Sequence, residues 1–139
     1  MRLPKYLAIL FCVAALVGFA DAAYLTAQHV RGVIPPCVVL NNCERVLTSA
    51  YASIGPIPVA ALGVFYYGAV LLLLIAFFDT KNRRLLHIAA WLVSAGMLAS
   101  LYFVYVQLFI LNALCPYCLV SVLTTTIMFA VSVRIMYLD

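Results

Sequence analysis

Four long runs of apolar residues dominate this chain, at residues 6–27, 58–78, 85–111 and 116–138. An α-helix needs about 20 apolar residues to cross the hydrocarbon core of a bilayer, and each run meets that length. Because lipid offers no hydrogen-bond partners, the backbone of such a run must be helical. With 68% hydrophobic and 9% charged residues, a soluble globular domain is excluded. We predict an all-α integral membrane four-helix bundle that forms a single domain over residues 1–139.

The lysine and arginine residues are unevenly divided between the two ends of the predicted helices. Only Arg31 and Arg45 fall at one end, whereas six lie at the end that holds both termini, namely Arg2, Lys5, Lys81, Arg83, Arg84 and Arg134. The positive-inside rule predicts a multi-pass cell-membrane protein with both termini in the cytoplasm and the connection 28–57 outside. Since these residues flank membrane segments singly or as one trio, they do not indicate nucleic-acid binding.

The first apolar run has a second interpretation. Arg2 and Lys5, the run itself and the small residues around Asp21 resemble a secretory signal peptide with a cleavage site. The run is long for the core of a signal peptide, and its removal would leave three helices, so we interpret it as a transmembrane helix. Asp21, near the outer end, is then either solvated at the interface or functional.

The long outer connection, residues 28–57, contains a short amphipathic pattern between breaker signals. Asn41 or Asn42 can cap a helix in which four side chains share one face, those of Cys43, Leu47, Ala50 and Ile54. We predict a short surface half-helix over the mouth of the bundle. A tight turn is predicted at residues 79–84, and the connection at 112–115 is almost absent.

Five cysteines are present, and their positions divide them into two kinds. Cys12 lies in the middle of the first helix, where a buried cysteine behaves as a small hydrophobic residue, so we expect it to serve packing. Cys37, Cys43, Cys115 and Cys118 all map to the outer side of the predicted topology, an oxidising compartment in which disulfides persist. These four are the candidate catalytic residues.

The segment Cys115-Pro-Tyr-Cys118 opens the fourth helix. Its spacing puts both sulfur atoms on one side of the first turn, and Pro116 suits the first helical position. Cys115 then lies beside free backbone N–H groups at the positive end of the helix dipole, which favours the thiolate. Because a disulfide across two residues constrains little chain, we interpret the pair as redox-active, although half of a zinc site has the same spacing.

Five residues separate Cys37 from Cys43 in the outer connection. The pair is a disulfide that pins the connection, half of a four-thiolate zinc site, or the mobile half of a thiol–disulfide relay. We expect no metal, since Glu44 is the one nearby carboxylate and zinc would compete with disulfide formation. The relay interpretation accounts for both pairs, because the loop pair can meet a soluble protein and also the helix-bound pair.

A relay needs a terminal electron acceptor, and the sequence has no haem or flavin signature. At the depth of the second cysteine pair in a lipid-embedded bundle, the available acceptor is a lipid-soluble quinone. We therefore predict a quinone of the ubiquinone or menaquinone type as the cofactor.

The spacing of these motifs over nearly the whole chain resembles that of the vitamin K epoxide reductase (VKOR) family. The resemblance is carried by Tyr24-Leu25-Thr26, Cys37-x5-Cys43, Ser49, Gly55-x-x-Pro58, Gly63-Val-Phe-Tyr-Tyr67 and Cys115-Pro-Tyr-Cys118. It implies a four-helix bundle around a quinone, capped by the half-helix.

The resemblance also implies a role for each cysteine. By position, Cys118 is the thiol beside the quinone, and Cys115 is its disulfide partner. Cys43 pairs transiently with Cys115 to pass electrons, and Cys37 exchanges with the partner protein. The implied quinone pocket consists of Cys118, Ser49, Val59, Gly63 and Tyr67.

The function implied is that of a prokaryotic single-domain member, a quinone-linked thiol oxidase. It would reoxidise a periplasmic or extracytoplasmic thioredoxin-like (DsbA-like) protein and so drive disulfide formation outside the cytoplasm. Because the chain ends at Asp139 without a thioredoxin-like domain, we expect this partner to be a separate protein.

Two alternatives stay open. One is reduction of vitamin K epoxide or a quinone with thiols as donors. Against epoxide, animal members carry an asparagine in the region of Val59 and a tyrosine four residues after the last cysteine, where this chain has Val122. The other is a non-catalytic membrane protein with structural disulfides. A transporter is disfavoured, because few polar residues lie near mid-membrane, namely Ser94, Ser100 and Gln107.

Overall fold

The fold is a bundle of four long helices, seen in a computed structural model that describes residues 4–31, 53–54, 57–110 and 116–138. The helices are α1 (Lys5–Arg31), α2 (Val59–Thr80), α3 (Arg83–Tyr105) and α4 (Pro116–Leu138). A π-helical segment, Val106–Ile110, continues α3. All four helices are long and apolar enough to cross a membrane, with α3 and its π segment counted together. The predicted all-α membrane bundle is confirmed.

The ends of the elements differ from the prediction in detail. α1 continues to Arg31 rather than ending at residue 27. Directly before α2, the two-residue strands β1 (Ser53–Ile54) and β2 (Ile57–Pro58) pair antiparallel. The prediction that Ile54 lies on a half-helix is therefore wrong at this residue, because Gly55-Pro56 favours a turn between two short strands. The rest of the predicted half-helix lies outside the described residues.

The helices form a closed ring in which each packs against two others. α1 packs against α2 and α4, and α3 packs against the same two helices. Helices that follow one another in the chain are therefore neighbours in space, and the contact between α1 and α4 closes the ring. One fully buried residue from each helix marks the core, namely Phe11, Val70, Val93 and Met128. α1 and α3 end, and α2 and α4 begin, at the same end of the bundle. We call it the Cys118 end.

Polar and apolar side chains are distributed as expected for a bundle whose solvent is lipid. The outer surface carries large apolar side chains, and Phe65, Trp91 and Leu98 are each at least 70% exposed. Several polar side chains instead turn inward, and the buried ones in the described part of the chain are Ser100, Gln107, Thr124, Thr125 and Ser132. Between helices in lipid, such groups bond across the interface or to their own backbone. The Ser132 hydroxyl, for example, donates to the Met128 carbonyl oxygen at 2.8 Å.

The connection between α2 and α3 is the tight turn that the sequence predicts. Lys81 adopts a left-handed conformation with a φ of 55°, and its N–H donates to the Phe77 carbonyl oxygen at 2.7 Å. Asn82 caps α3, because its side-chain oxygen accepts from the Arg84 N–H at 3.0 Å. These contacts end one helix and start the next within two residues.

Glycine allows α1 and α2 to approach each other closely. A Cβ atom at Gly18 would clash with the Tyr67 ring, so only glycine leaves room for the ring against the α1 backbone. Gly63 is a milder case, since an added Cβ would lie 3.2 Å from the Ala22 Cβ. Small residues that bring helix backbones together are a common packing device in lipid.

We expect Gly18→Ala to lower the thermal stability of the purified protein in detergent. Overpacking costs about 1–3 kcal/mol, which outweighs the gain of about 1 kcal/mol in helix propensity. Gly68→Ala is the matched control, because its new Cβ would meet Phe19 at an ordinary 3.6 Å. The unfolding midpoint should fall for Gly18→Ala and hold or rise for Gly68→Ala. Equal midpoints would contradict the close approach.

Candidate functional site

The candidate site lies at the first turn of α4, which begins at Pro116 as the sequence predicts. Proline suits this position, because the first helical N–H has no acceptor within the helix and the ring presets φ. Cys118 is the third residue of the helix and is half-buried. The backbone N–H groups of this turn give it a partial positive charge, which stabilises a thiolate nearby.

A contact between two aromatic rings docks α1 against this turn. The ring centroids of Tyr24 and Tyr117 are 5.6 Å apart, with an interplanar angle of 36°. This distance is in the range of favourable aromatic pairs. Because Tyr117 directly precedes Cys118, the contact supports the first turn of α4 from the α1 side.

A group of hydroxyls lies one turn further along α4. The Tyr67 hydroxyl of α2 donates to the Ser121 carbonyl oxygen at 2.9 Å. The same hydroxyl lies 2.9 Å from Ser121 Oγ, 2.9 Å from Thr124 Oγ1 and 3.0 Å from Thr125 Oγ1. We call these four residues the Tyr67 cluster. Tyr67 is 1% exposed and both threonines are buried, so the cluster lies inside the bundle.

The Tyr67 hydroxyl has more neighbours than it can bond at once. A phenol donates one hydrogen and accepts through its oxygen lone pairs. The Thr124 hydroxyl also donates to the Ser121 carbonyl at 2.9 Å, so two hydroxyls share this acceptor. Each member of the cluster therefore has a choice of partners, and the network satisfies polar groups that would otherwise be costly in a lipid-embedded interior.

Helix geometry places Cys118 and Gly63 at a similar level of the bundle. Cys118 precedes Ser121 by three residues and Gly63 precedes Tyr67 by four. Along their helices, Cys118 therefore lies about 4.5 Å from Ser121, and Gly63 about 6 Å from Tyr67, both toward the Cys118 end. Gly63 is opposite Ala22 of α1. Two small residues, Gly63 and Ala22, thus face each other between α2 and α1 at this level, whereas the Tyr67 ring fills the level below.

The predicted pocket residues on α2 share one stripe of that helix. Val59, Gly63 and Tyr67 follow one another at intervals of four residues. Val59 and Gly63 are half-buried, whereas Tyr67 is enclosed between α1 and α4. The remaining predicted residues lie outside the described part of the chain and stay predictions, namely Cys37, Cys43, Ser49 and Cys115.

Asp21 approaches the same region from α1. It lies three residues after Gly18, which contacts Tyr67, and three before Tyr24, which contacts Tyr117. Asp21 is half-buried, and its Oδ2 atom is shielded from solvent. A carboxyl group therefore lies at a depth between the two contacts that hold the start of α4.

Cys12 is remote from the site, as the sequence predicts. It is half-buried and packs against the hydrophobic core from α1. It precedes Asp21 by nine residues, which is about 13 Å along the helix axis. Among the residues that the structure describes, no group of three histidine, cysteine or acidic side chains could hold a metal ion.

Sequence reasoning missed the Tyr67 cluster, although a signal for it was present. Ser121, Thr124 and Thr125 are spaced so that they share one face of an otherwise apolar helix. A second missed feature is the buried Gln107 within the π-helical segment. Helical turns of this type often occur close to functional sites.

A comparison with known protein families finds a match over most of the chain. Residues 9–133 match the family model described as Vitamin K epoxide reductase family. The matched range contains every residue of the candidate site and all four cysteines predicted to be catalytic. A comparison with curated proteins finds no match.

The two cysteines that the structure describes should differ in reactivity. With Cys37, Cys43 and Cys115 replaced by alanine, we expect a maleimide to alkylate Cys118 faster than Cys12. Cys118 lies at a helix start near the end of the bundle, whereas Cys12 is packed in the middle of α1. Mass spectrometry over a time course measures both rates, and equal rates would contradict the position of Cys118.

Proposed function

This chain belongs to the vitamin K epoxide reductase family, and from that premise we propose that it is a quinone-dependent thiol oxidase. The family comprises membrane redox enzymes that use a quinone or vitamin K together with thiols. The proposed reaction takes two electrons from the dithiol of a thioredoxin-like protein and gives them to a membrane quinone. The oxidised partner then drives disulfide formation outside the cytoplasm.

The observation that carries the proposal is the position of Cys118. It is a half-buried thiol in the first turn of α4, in a bundle whose outer surface is apolar. A thiol in this position is accessible to molecules dissolved in lipid and lies near the end of the helix. The sequence supplies a second thiol at Cys115 and a further pair at Cys37 and Cys43.

The described residues fit a quinone at this end of the bundle. Gly63 and Ala22 are small residues at the level of Cys118, and the Tyr67 ring closes the level below. We assign Cys118 and Val59 to hold the ring, because both are half-buried at the Cys118 end. A ubiquinone or menaquinone bound here would supply an acceptor for two electrons and two protons.

The four cysteines carry the electrons by thiol–disulfide exchange. A partner thiolate attacks the Cys37–Cys43 disulfide at Cys37, and the second partner thiol releases the oxidised partner, leaving Cys37 and Cys43 reduced. Cys43 then attacks Cys115 in the Cys115–Cys118 disulfide, and Cys37 resolves this bond to restore the loop disulfide. Cys115 and Cys118 are now thiols, and their oxidation back to a disulfide delivers two electrons and two protons to the acceptor.

Redox potentials and topology support this direction. A DsbA-like partner has a reduction potential of about −120 mV. The acceptor must have a higher potential, and each 30 mV of difference contributes about 1.4 kcal/mol for a two-electron couple. The distribution of lysine and arginine predicts that the four cysteines lie on the outer side, where such a partner works.

Reduction of vitamin K epoxide is a weaker candidate. Val59 and Val122 stand where animal members of the family carry an asparagine and a tyrosine. Neither valine side chain can donate a hydrogen bond to a substrate oxygen. We therefore propose the oxidase, and the experiment below also separates it from a protein with structural disulfides alone.

We expect the protein purified in detergent to reduce a short-chain ubiquinone analogue or menaquinone when a reduced thioredoxin-like donor is present. Cys118→Ala and Cys37→Ala should each abolish quinone reduction, because each interrupts the relay. Cys118→Ala should still form a mixed disulfide with the donor, visible on a non-reducing gel. Cys12→Ala is the matched control and should keep the wild-type rate, since Cys12 packs against the core.

Two outcomes would contradict this proposal. If wild type and both relay variants behave alike, the cysteines are structural, and only the membrane fold stands. If wild type reduces vitamin K epoxide with dithiothreitol but oxidises no thioredoxin-like donor, the reductase alternative replaces the oxidase.

A further inference from the structure

We propose that Tyr67 is a positioning residue whose hydroxyl holds the first two turns of α4, and with them Cys118, in the place from which Cys118 reacts. The inference rests on the proposed function in one respect, which is that Cys118 reacts with a quinone. It gives Tyr67 a role other than the one predicted from the sequence, in which this side chain lined the quinone pocket. Tyr67 instead acts through α4.

The Tyr67 hydroxyl is directed across the bundle from α2. It points into α4, where four oxygen atoms lie within 3.0 Å of it. One hydrogen and the oxygen lone pairs cannot serve all four, so the hydroxyl has no spare bond for a quinone oxygen. The hydroxyl is buried, and all four of these oxygen atoms belong to α4. Its hydrogen bonds therefore join α2 to α4.

The ring of Tyr67 is held as firmly as its hydroxyl. The ring lies against the α1 backbone at Gly18, where even a methyl group would clash. On its other side the ring packs edge-on against Tyr66, with the centroids 4.8 Å apart and an interplanar angle of 66°. A phenol seated in this way cannot swing out of the cluster. Through this one residue, α1, α2 and α4 are held at fixed distances.

Cys118 lies between two tyrosine contacts on α4. The residue before it, Tyr117, packs on Tyr24 of α1, and the residue three places after it, Ser121, bonds Tyr67 of α2. The first turn of any helix lacks part of its internal hydrogen bonding and tends to fray. Contacts on both sides of Cys118 oppose fraying and fix both the depth and the rotation of α4 at this point.

The consequence is that the two half-reactions should depend on Tyr67 to different degrees. Reaction with a quinone requires the thiol of Cys118 at one place in the bundle, so a small displacement slows it. Exchange of the donor protein with Cys37 occurs in the outer connection and does not depend on where α4 begins. A variant that loosens α4 should therefore slow the first half-reaction and spare the second.

Tyr67→Phe tests the inference, because it removes the hydroxyl and keeps the ring. The matched control is Tyr66→Phe at the adjacent position. The Tyr66 hydroxyl is also buried and lies against Gly96 and near Thr125, but its geometry gives no hydrogen bond within the described residues. Removing an unbonded buried hydroxyl has little cost. The two variants thus lose the same atom from neighbouring rings, and only Tyr67→Phe loses hydrogen bonds to Ser121 and Thr124 of α4.

Stopped-flow measurements follow the half-reactions separately. Pre-reduced protein is mixed with a short-chain ubiquinone analogue, and oxidised protein is mixed with a reduced thioredoxin-like donor. We expect Tyr67→Phe to slow the quinone half-reaction by up to about 100-fold, the loss associated with a displacement of about 1 Å. The donor half-reaction should be unchanged, and Tyr66→Phe should match wild type in both.

Hydrogen–deuterium exchange gives a second readout in protein to which no quinone has been added. We expect faster exchange of peptides that cover residues 116–125 in Tyr67→Phe, with no change in peptides from α3. Tyr66→Phe should exchange like wild type. If Tyr67→Phe fails to fold, Thr125→Val is used instead, because it keeps the shape of the side chain and removes one hydroxyl from the cluster.

The outcomes separate this inference from the proposed function. Wild-type rates and exchange in Tyr67→Phe would overturn the positioning role, as would equal slowing of both half-reactions, which a general loss of stability would cause. If Tyr66→Phe slowed the quinone half-reaction and Tyr67→Phe did not, the positioning role would belong to Tyr66, and the inference would be overturned. If wild type itself reduces no quinone, the proposed function fails, while the exchange data alone still decide whether Tyr67 holds α4.

Discussion

The satisfaction of polar groups in lipid is the constraint on which the rest of this structure depends. The backbone meets it by forming four helices, since no other arrangement of these apolar runs pairs every N–H and C=O group. Helices already dispersed in lipid gain little from burying more apolar surface, so their association rests on close packing and on hydrogen bonds between them. In this bundle both devices meet at Tyr67, whose ring lies at Gly18 and whose hydroxyl bonds α4. The centre of the protein is thus organised around a polar side chain rather than around a large aliphatic one.

The family assignment and the position of Cys118 support each other. A thiol that exchanges electrons between a soluble protein and a lipid-soluble molecule has to be near water and lipid at once. The start of a transmembrane helix meets this requirement, because it lies near the membrane surface and its backbone N–H groups stabilise a thiolate. At this end of the bundle, α1 contacts α4 through Tyr24 and Tyr117, and it lies close to α2 at Ala22 and Gly63.

Some of these features follow directly from sequence, and others depend on how the helices meet. The four helices and the start of α4 at Pro116 were predictable, because apolar length and the conformational limits of proline act locally. Ile54 was assigned to a half-helix because its spacing fitted an apolar stripe, but it pairs with Ile57 between two short strands instead. The Tyr67 cluster was beyond local reasoning, because its members are separated by more than fifty residues and meet only when α2 and α4 are both in place. The relative rotation of two helices cannot be read from either helix alone.

The π-helical segment at the end of α3 has a consequence for how this chain can vary. A turn of this type accommodates one residue more than an α-helical turn, and Gln107 occupies the inside of it. Shortening Val106–Ile110 by one residue would allow a regular α-helix to form. The last turn of α3 would then face a different direction, while Arg83–Tyr105 would keep its packing against α2 and α4. The segment therefore sets the direction in which α3 ends, so that a deletion here would rotate the end of this helix without altering the bundle.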